Sequence, residues 1–250
     1  TQMRKYPEAA KTYRVAASLE PRNPEILNNF AVLLKLREQT DEALAIVNRA
    51  IRLAPERGDI CYNHANILKQ AGNLQDAAIW YRRAISLDQS LVPAYNNLGT
   101  MLEKLGKPDE AETVYRQGLA IDPSHPTLNY NLGIVQDQTG RSEDAENSFR
   151  QALRSRPTWS DGLNNLGIVL QKQGREDESI DVLNRLLERE PTNPQAKNNL
   201  AFAYVKQGNI AEAEKHYRDA LAEDPKYTKA LLNLEQMYVD SGDYSSAEMS

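Results

Sequence analysis

The stretch VPAYNNLGTMLEKLGKPDEAETVYRQGLAIDPSH, residues 92–125, decides the fold because variants of it recur every 34 residues. Its segment YNNLG at 95–99 is matched by YNLG at 130–133, NNLG at 164–167 and NNLA at 198–201. A fixed period of this size indicates a single supersecondary unit that is copied and stacked along the chain. The architecture therefore follows from this long period rather than from any shorter heptad-like pattern.

Proline and glycine mark the ends of two predicted helices in each repeat. Proline ends a helix because it lacks an N–H and restricts the residue before it. Glycine just past a helix end can adopt the left-handed conformation that caps it. The proline column contains Pro21, Pro55, Pro123, Pro157, Pro191 and Pro225, with Gln89 as its exception. The glycine column contains Gly72, Gly106, Gly140, Gly174, Gly208 and Gly242, with Glu38 as its exception.

These columns divide the chain into tandem repeats, each of which holds two helices of about a dozen residues. The repeats are 24–57, 58–91, 92–125, 126–159, 160–193 and 194–227. Partial repeats flank them, with a second helix in residues 1–23 and a first helix in residues 228–250. Because both ends stop inside a repeat, we expect the chain to be a piece of a longer protein.

Apolar residues within each repeat follow a helical stripe. In the first helix of 92–125, Tyr95, Leu98 and Leu102 recur at spacings of three and four residues, which place them on one face. Small residues recur where the two helices should approach most closely, such as Gly99 on the first helix and Ala111 on the second. Both helices are therefore predicted to bury one stripe against each other.

The combined pattern resembles the tetratricopeptide repeat signature of aromatic, Leu-Gly, aromatic, Ala, aromatic and Pro positions. In 92–125 it reads Tyr95, Leu98-Gly99, Leu102, Ala111, Tyr115 and Pro123. The resemblance covers essentially the whole chain. It implies an all-α fold, a right-handed superhelical solenoid of antiparallel helix hairpins whose first helices line a concave face. Repeat 160–193 departs from the signature with Ser179, Leu183 and Leu186, and Glu235 replaces the small residue near the C-terminus, so the signature defines the packing least at these places.

Composition excludes several classes of partner. The formal net charge of −5 does not favour nucleic acid or a strongly anionic membrane. Arginines recur in one column, but Arg116, for example, follows Glu112 by four residues, a spacing typical of solvated helix pairs. No apolar run reaches the roughly 18 residues that span a bilayer. We therefore predict a cytoplasmic segment with no nucleic-acid or membrane partner.

Motifs for catalysis, cofactors and metals are absent from the sequence. There is no GxGxxG, P-loop, GxSxG or HExxH motif. Cys61 and His64 lie three residues apart and could offer two metal ligands. The opposing interpretation, which we favour, is that they belong to the core, because other repeats place Leu27 and Leu98 in the same columns. The sequence predicts no catalytic residue, no metal, no cofactor and no enzymatic activity.

One asparagine column runs through the first helix of every repeat. Its members are Asn29, Asn63, Asn97, Asn131, Asn165, Asn199 and Asn233. Asparagine is a mediocre helix former, so its repetition within helices needs a reason. One reason is structural, since the side chain can bond to an adjacent helix. The other is a ladder of amides that faces the groove and binds the backbone of an extended peptide. The structural interpretation is favoured, and the two are compatible.

Neighbouring positions extend the predicted peptide-binding face. Besides the asparagine column, the predicted peptide-binding residues are Tyr62, Asn66, Asn96, Tyr130, Asn164 and Asn198. Amides and phenols, with nearby apolar residues such as Ile168 and Phe202, suit a peptide main chain with modest hydrophobic anchors. Lysines and acids on this face balance, so no charged patch is expected.

The sequence therefore predicts a noncatalytic scaffold that holds a protein or peptide segment in its concave groove. Two alternatives remain. The asparagine column also resembles that of the repeat arm of O-linked N-acetylglucosamine transferases, which would make the chain the substrate-docking arm of a larger glycosyltransferase. Alternatively, apolar repeat ends near Tyr13 or Tyr238 stack on another copy, which would make it a self-assembling module.

Overall fold

The computed structural model describes residues 6–241, and fourteen α-helices connected by short turns account for that part of the chain. The helices are α1 (Tyr6–Leu19), α2 (Pro24–Leu36), α3 (Thr40–Leu53), α4 (Gly58–Gln70), α5 (Leu74–Leu87), α6 (Val92–Lys104), α7 (Pro108–Ile121), α8 (Pro126–Gln138), α9 (Ser142–Ser155), α10 (Ser160–Lys172), α11 (Glu176–Leu187), α12 (Pro194–Lys206), α13 (Ile210–Glu223) and α14 (Thr228–Ser241). The predicted all-α fold is confirmed. None of these helices is long and apolar enough to cross a membrane.

The turn inside each repeat uses a left-handed residue at the end of the first helix. At Gly72, φ is 81°, and its N–H donates to the carbonyl oxygen of Lys69 (3.2 Å). The next N–H, of Asn73, reaches back to the carbonyl oxygen of Leu68 (3.0 Å), so the last carbonyls of α4 are satisfied. Glu38, the exception in the glycine column, keeps the same turn with a φ of 60°. The last column member, Gly242, lies outside the described residues.

The chain forms two compact units, an N-terminal unit (Thr1–Pro123) and a C-terminal unit (Ser124–Ser250). Within each unit, every helix packs against the next one along the chain, which gives a stack of antiparallel hairpins. The first helices also pack on each other, α2 on α4 in the N-terminal unit, and α10 on α12 and α12 on α14 in the C-terminal unit. Successive first helices therefore lie side by side in these parts of each unit.

Small residues permit the close approach of the two helices in a repeat, as the sequence predicts. Ala111 and Tyr115 are fully buried on α7. A Cβ atom at Gly99 would lie only 2.2 Å from Cε1 of Tyr115. The tyrosine ring thus occupies the space that the missing side chain leaves.

In repeat 160–193 a polar residue occupies the contact between the two helices. Ser179 is fully buried, and its hydroxyl donates to the carbonyl oxygen of Gly167 (2.9 Å). The Gln171 amide donates to the same hydroxyl (3.0 Å), so the serine is satisfied in the core. Leu183 replaces the aromatic ring against Gly167. The departure of this repeat from the signature therefore has a defined hydrogen-bonded form.

The predicted glutamate–arginine pairs form on the second helices. Arg116 bonds to Glu112 at 2.8 Å, and Arg150 bonds to Glu146 at 2.9 Å. Glu146 differs from the expected solvated pair because it is buried and also receives Arg175 at 2.6 Å. These guanidinium groups are therefore ion-paired with carboxylates of the same chain.

Candidate functional site: the first-helix face

The column asparagines link successive repeats in the N-terminal unit. The Asn63 amide nitrogen Nδ2 donates to Oδ1 of Asn28 at 3.0 Å. The Nδ2 atom of Asn97 lies 3.3 Å from the hydroxyl of Tyr62 and 3.1 Å from Oδ1 of Asn66, and it donates to both oxygens. Each bond joins the first helix of one repeat to the first helix of the repeat before it.

The same link recurs in the C-terminal unit, again between residues 35 positions apart. The acceptors are the Tyr130 hydroxyl for Asn165 (3.0 Å), Oδ1 of Asn164 for Asn199 (2.8 Å) and Oδ1 of Asn198 for Asn233 (2.9 Å). A buried polar group without a partner is costly, so a mid-helix amide that bonds to the next helix supports the stack. The structure thus gives a structural role to five of the seven column asparagines, namely Asn63, Asn97, Asn165, Asn199 and Asn233.

Burial separates the predicted site residues into two groups. The buried residues are Asn28, Asn164, Asn198 and Asn199, of which the last three belong to the predicted site. The half-buried residues are Tyr62, Asn63, Asn66, Asn96, Asn97, Tyr130, Asn131, Asn165 and Asn233, while Asn29 is exposed. Among the half-buried amides, Asn63, Asn97, Asn165 and Asn233 donate from Nδ2 to join repeats, and Asn66 accepts through Oδ1. Contact with a ligand is thus open mainly to the half-buried group, and its binding role stays a prediction.

The bond between Asn165 and Tyr130 offers a direct test of the structural role. We expect Asn165→Ala and Tyr130→Phe each to lower the free energy of unfolding by about 1 kcal/mol, because each removes one side of a partly buried hydrogen bond. The double variant should lose less than the sum of the two, with a coupling of about 1 kcal/mol measured by urea unfolding. Tyr130→Phe keeps the ring contact with Trp159 (centroids 4.4 Å apart), so packing is preserved. Strict additivity would show that the bond contributes nothing.

A cavity of about 430 Å³ opens on the first-helix face of the C-terminal unit. Amides form part of its wall, among them Asn199, Asn233 and Gln171. Ile168 and Phe202 supply apolar surface, one turn along from the asparagine column. The volume lies within the roughly 300–1,000 Å³ typical of ligand sites.

This cavity is lined by three lysines, Lys172, Lys206 and Lys229, and by no carboxylate. Lys172 pairs with Asp137 at 2.6 Å, and Nζ of Lys206 lies 5.3 Å from the centre of the Phe202 ring. Within the described residues, Lys206 and Lys229 form no ion pair. The sequence predicts balanced charge here, because these lysines are matched by acids from several repeats. Only the stacking of α10, α12 and α14 brings the cations together.

Cys61 and His64, the two possible metal ligands, are buried residues of α4. Both are buried, and burial raises the pKa of the Cys61 thiol and lowers the pKa of His64 to about 4. The His64 ring meets the Trp80 ring edge-on with centroids 4.4 Å apart. No group of three potential metal ligands occurs in the part of the chain that the structure describes. The two side chains pack as the apolar columns indicate.

Family models for tandem helical repeats match most of the chain. One tetratricopeptide repeat model matches residues 2–58, 130–196, 164–228 and 198–248. A second tetratricopeptide repeat model matches residues 94–158, and a TPR repeat model matches residues 65–106. No curated protein matches the chain.

Solved structures with this arrangement of helices share little sequence with the chain. The C-terminal part of a TPR repeat-containing protein from Cytophaga hutchinsonii is 18% identical, with a TM-score of 0.75 over 93% of this chain and 96% of that one. YrrB, described as a TPR protein with an unusual peptide-binding site, is 23% identical, with a TM-score of 0.68 over 75% of this chain and 96% of that one. MamA is 21% identical, with a TM-score of 0.64 over 70% of this chain and 96% of that one. At these identities the similarity concerns the fold.

Proposed function

Because the chain belongs to the tetratricopeptide repeat family, whose members typically serve as protein-interaction scaffolds, we propose that its first-helix face binds an extended peptide segment of a partner protein. The observation that carries the proposal is the cavity in the C-terminal unit, where predicted ladder residues Asn199 and Asn233 meet Phe202 and two lysines without ion pairs. The peptide-binding site in the name of YrrB gives the same kind of ligand a precedent among chains of this fold.

The wall of the cavity suits a peptide that carries an acidic residue next to an apolar one. Amides can accept from and donate to a peptide main chain. Lys206 and Lys229 supply positive charge for a carboxylate, and Phe202 supplies a hydrophobic contact. The bond from Asn233 to Asn198 holds the Asn233 amide in place before any ligand arrives. Preordered side chains lose little conformational freedom, so the ligand bears most of the ordering cost.

We also propose that the chain itself is noncatalytic and works in the cytoplasm. The described residues contribute a lysine-lined amide cavity, in which nothing resembles a nucleophile paired with a base. Cys61, the single cysteine of the sequence, is a free and buried thiol, which is compatible with a reducing compartment.

The proposal is tested by a charge reversal at the cavity. Wild type and a Phe202→Ala/Lys229→Glu variant would be used as baits to capture partner proteins. A synthetic peptide that spans the bound segment of a captured partner would then be titrated against both by calorimetry. We expect roughly tenfold or greater weakening for the variant, because a cationic contact and an apolar contact are both lost. The melting temperature should change little, since Lys229 is exposed and Phe202 is half-buried.

A matched control is Lys215→Glu, the same charge reversal on α13, a second helix of the same unit. Lys215 is exposed and pairs with Glu212 on its own helix. It should leave peptide affinity unchanged. Equal affinities for wild type and the cavity variant would overturn the proposed site, and so would an effect of Lys215→Glu as large as that of the cavity variant, because it would assign the change to nonspecific charge.

A further inference from the structure

A second cavity, of about 550 Å³, lies in the N-terminal unit between the second helices α5 and α7. Ile85 lines it from α5, and Val114 and Ile121 line it from α7. Leu98 and Tyr95 form part of its wall from α6. It shares no residue with the first-helix cavity and belongs to a different unit.

The preceding repeat shows what fills the equivalent place. Trp80 stands 34 residues before Val114, and its indole packs against the apolar cluster of α2, α3 and α4. His64 meets one edge of this ring, and the Arg83 guanidinium lies 5.3 Å from its centre. Val114 is much smaller than the indole. The cavity between α5 and α7 is therefore a place where the chain packs an aromatic ring in one repeat and leaves room for one in the next.

The mouth of the cavity is also open because it lacks an arginine bond that is present in the two preceding repeats. In the two preceding repeats, Arg49 and Arg83 reach back to the carbonyl oxygens of Pro21 (3.4 Å) and Pro55 (3.0 Å). Gln117 occupies the same column and lines the cavity. The cavity is also lined by Gln89, the exception in the proline column. The arginine clasp that bridges adjacent repeats is thus absent at this position.

An exposed apolar ridge runs beside the cavity. One column at the ends of the second helices contains Leu19, Leu53, Leu87 and Ile121, which are 77%, 41%, 37% and 43% exposed. The same column in the C-terminal unit contains Ser155, Arg189 and Glu223. Apolar exposure at this column is thus confined to the N-terminal unit. Exposed apolar patches of this kind mark interaction surfaces.

We propose that this cavity, together with Leu87 and Ile121 on the ridge, is a docking site for an aromatic side chain presented by a partner protein segment with aliphatic neighbours. The Arg82 guanidinium lines the cavity, no carboxylate lines it, and the negative face of an aromatic ring is complementary to a guanidinium. Arg82 already pairs with Glu110 at 2.6 Å, which disfavours an anionic anchor and leaves a neutral ring as the matching occupant. The chain itself pairs arginine with an aromatic ring at Arg83 and Trp80 and at Arg156 and Trp159.

The experiment selects random phage-displayed peptides on the full wild-type chain and counter-selects them on Val114→Trp, which fills the cavity as Trp80 fills its counterpart. We expect enriched peptides to contain Trp or Phe beside Leu, Ile or Val, and to bind wild type roughly tenfold or more tightly than the variant. Gln117→Arg, a change at an exposed position that restores the clasp, should weaken the same peptides even if Val114→Trp disturbs the fold. Arg82→Gln should weaken them by a smaller factor.

The matched control is Ile79→Asp, because Ile79 is 62% exposed on the same helix α5 but does not line the cavity. Ile121→Asp should abolish peptide binding, whereas Ile79→Asp should not change it. Three outcomes would overturn the proposal. The first is that the selected peptides lack an aromatic residue, and the second is that they bind wild type, Val114→Trp and Gln117→Arg equally. The third is that the selection yields no peptide that distinguishes wild type from these variants. A dimer in sedimentation velocity that Val114→Trp disperses would assign the surface to a second copy instead.

Discussion

Replacing Gly99 by alanine should lower the free energy of unfolding of the N-terminal unit by about 2 kcal/mol, although alanine is the better helix former by about 1 kcal/mol. The reason is steric. The added Cβ would lie 2.2 Å from Cε1 and 2.5 Å from Cζ of Tyr115, whose side chain is fully buried on α7. The ring must move, and its hydroxyl then loses the carboxylate of Glu103 to which it donates. Burial raises the pKa of Glu103, so an unpaired carboxylate there is costly.

The preceding repeat supplies a rescue for this variant. Ala65 and Tyr81 occupy the same two columns without conflict, because the Tyr81 hydroxyl donates instead to Oδ1 of Asn66 at 2.7 Å. Thr100 stands in the column of Asn66. Gly99→Ala/Thr100→Asn should therefore recover about 1 kcal/mol by offering the displaced tyrosine hydroxyl a new acceptor.

The measurement is urea unfolding followed by the fluorescence of Trp80 in a Trp159→Phe background, so that the signal reports the N-terminal unit. The sequence contains two tryptophans, one in each unit. The reverse change in the preceding repeat, Ala65→Gly, should also destabilise, by about 1 kcal/mol from helix propensity. An unchanged midpoint for Gly99→Ala would show that Tyr115 does not occupy the space above the glycine.

The local features of the fold could be predicted from the sequence because each has a local cause. A proline or glycine acts within its own turn, and Gly72 therefore ends α4 in the left-handed conformation that its column predicts. Pro108 begins α7 because proline suits the first turn of a helix. The stripe of Tyr95, Leu98 and Leu102 needs only the helical period, and all three side chains are buried.

The candidate sites were less predictable because they depend on distances between repeats. Periodicity places Asn165 and Tyr130 on first helices, but it does not reveal that one donates to the other 35 positions away. Both cavities arise where repeats differ from one another, and a consensus pattern averages those differences out. Val114 by itself does not indicate a cavity. It becomes informative only when the packing of Trp80 in the preceding repeat is known.

A second large effect is expected from pH, through His64. Burial lowers its pKa to about 4, from an ordinary value near 6.5 in the unfolded chain. Its side chain is 5% exposed, and its Nδ1 atom has no hydrogen-bond partner. The side chain must therefore stay neutral to remain in the core beside Trp80. The nearby Asp76 carboxylate favours the protonated form, but burial outweighs it.

The sign follows from which state binds the proton first. Above about pH 6.5 both states are neutral at this residue, so it adds no pH dependence. Between about pH 6.5 and 4 the unfolded chain binds a proton that the folded chain excludes, and stability falls by up to about 1.4 kcal/mol for each pH unit. His64 alone should therefore cost about 3 kcal/mol by pH 4. Below that value the folded state binds the proton too, and the loss stops growing.

His64→Leu removes this loss and leaves the other titrating groups in place. Leucine occupies the same column at Leu98 and Leu166, and phenylalanine occupies it at Phe30, so His64→Phe is a second nontitrating control that keeps an aromatic ring against Trp80. Between pH 7 and pH 4, urea unfolding of the N-terminal unit should show a loss for wild type that exceeds the loss for either variant by about 3 kcal/mol. Because the carboxylates are common to all three proteins, the difference isolates His64. Equal losses in the three would mean that the folded core admits the proton, through water or an opening of α4, and that His64 is not held neutral there.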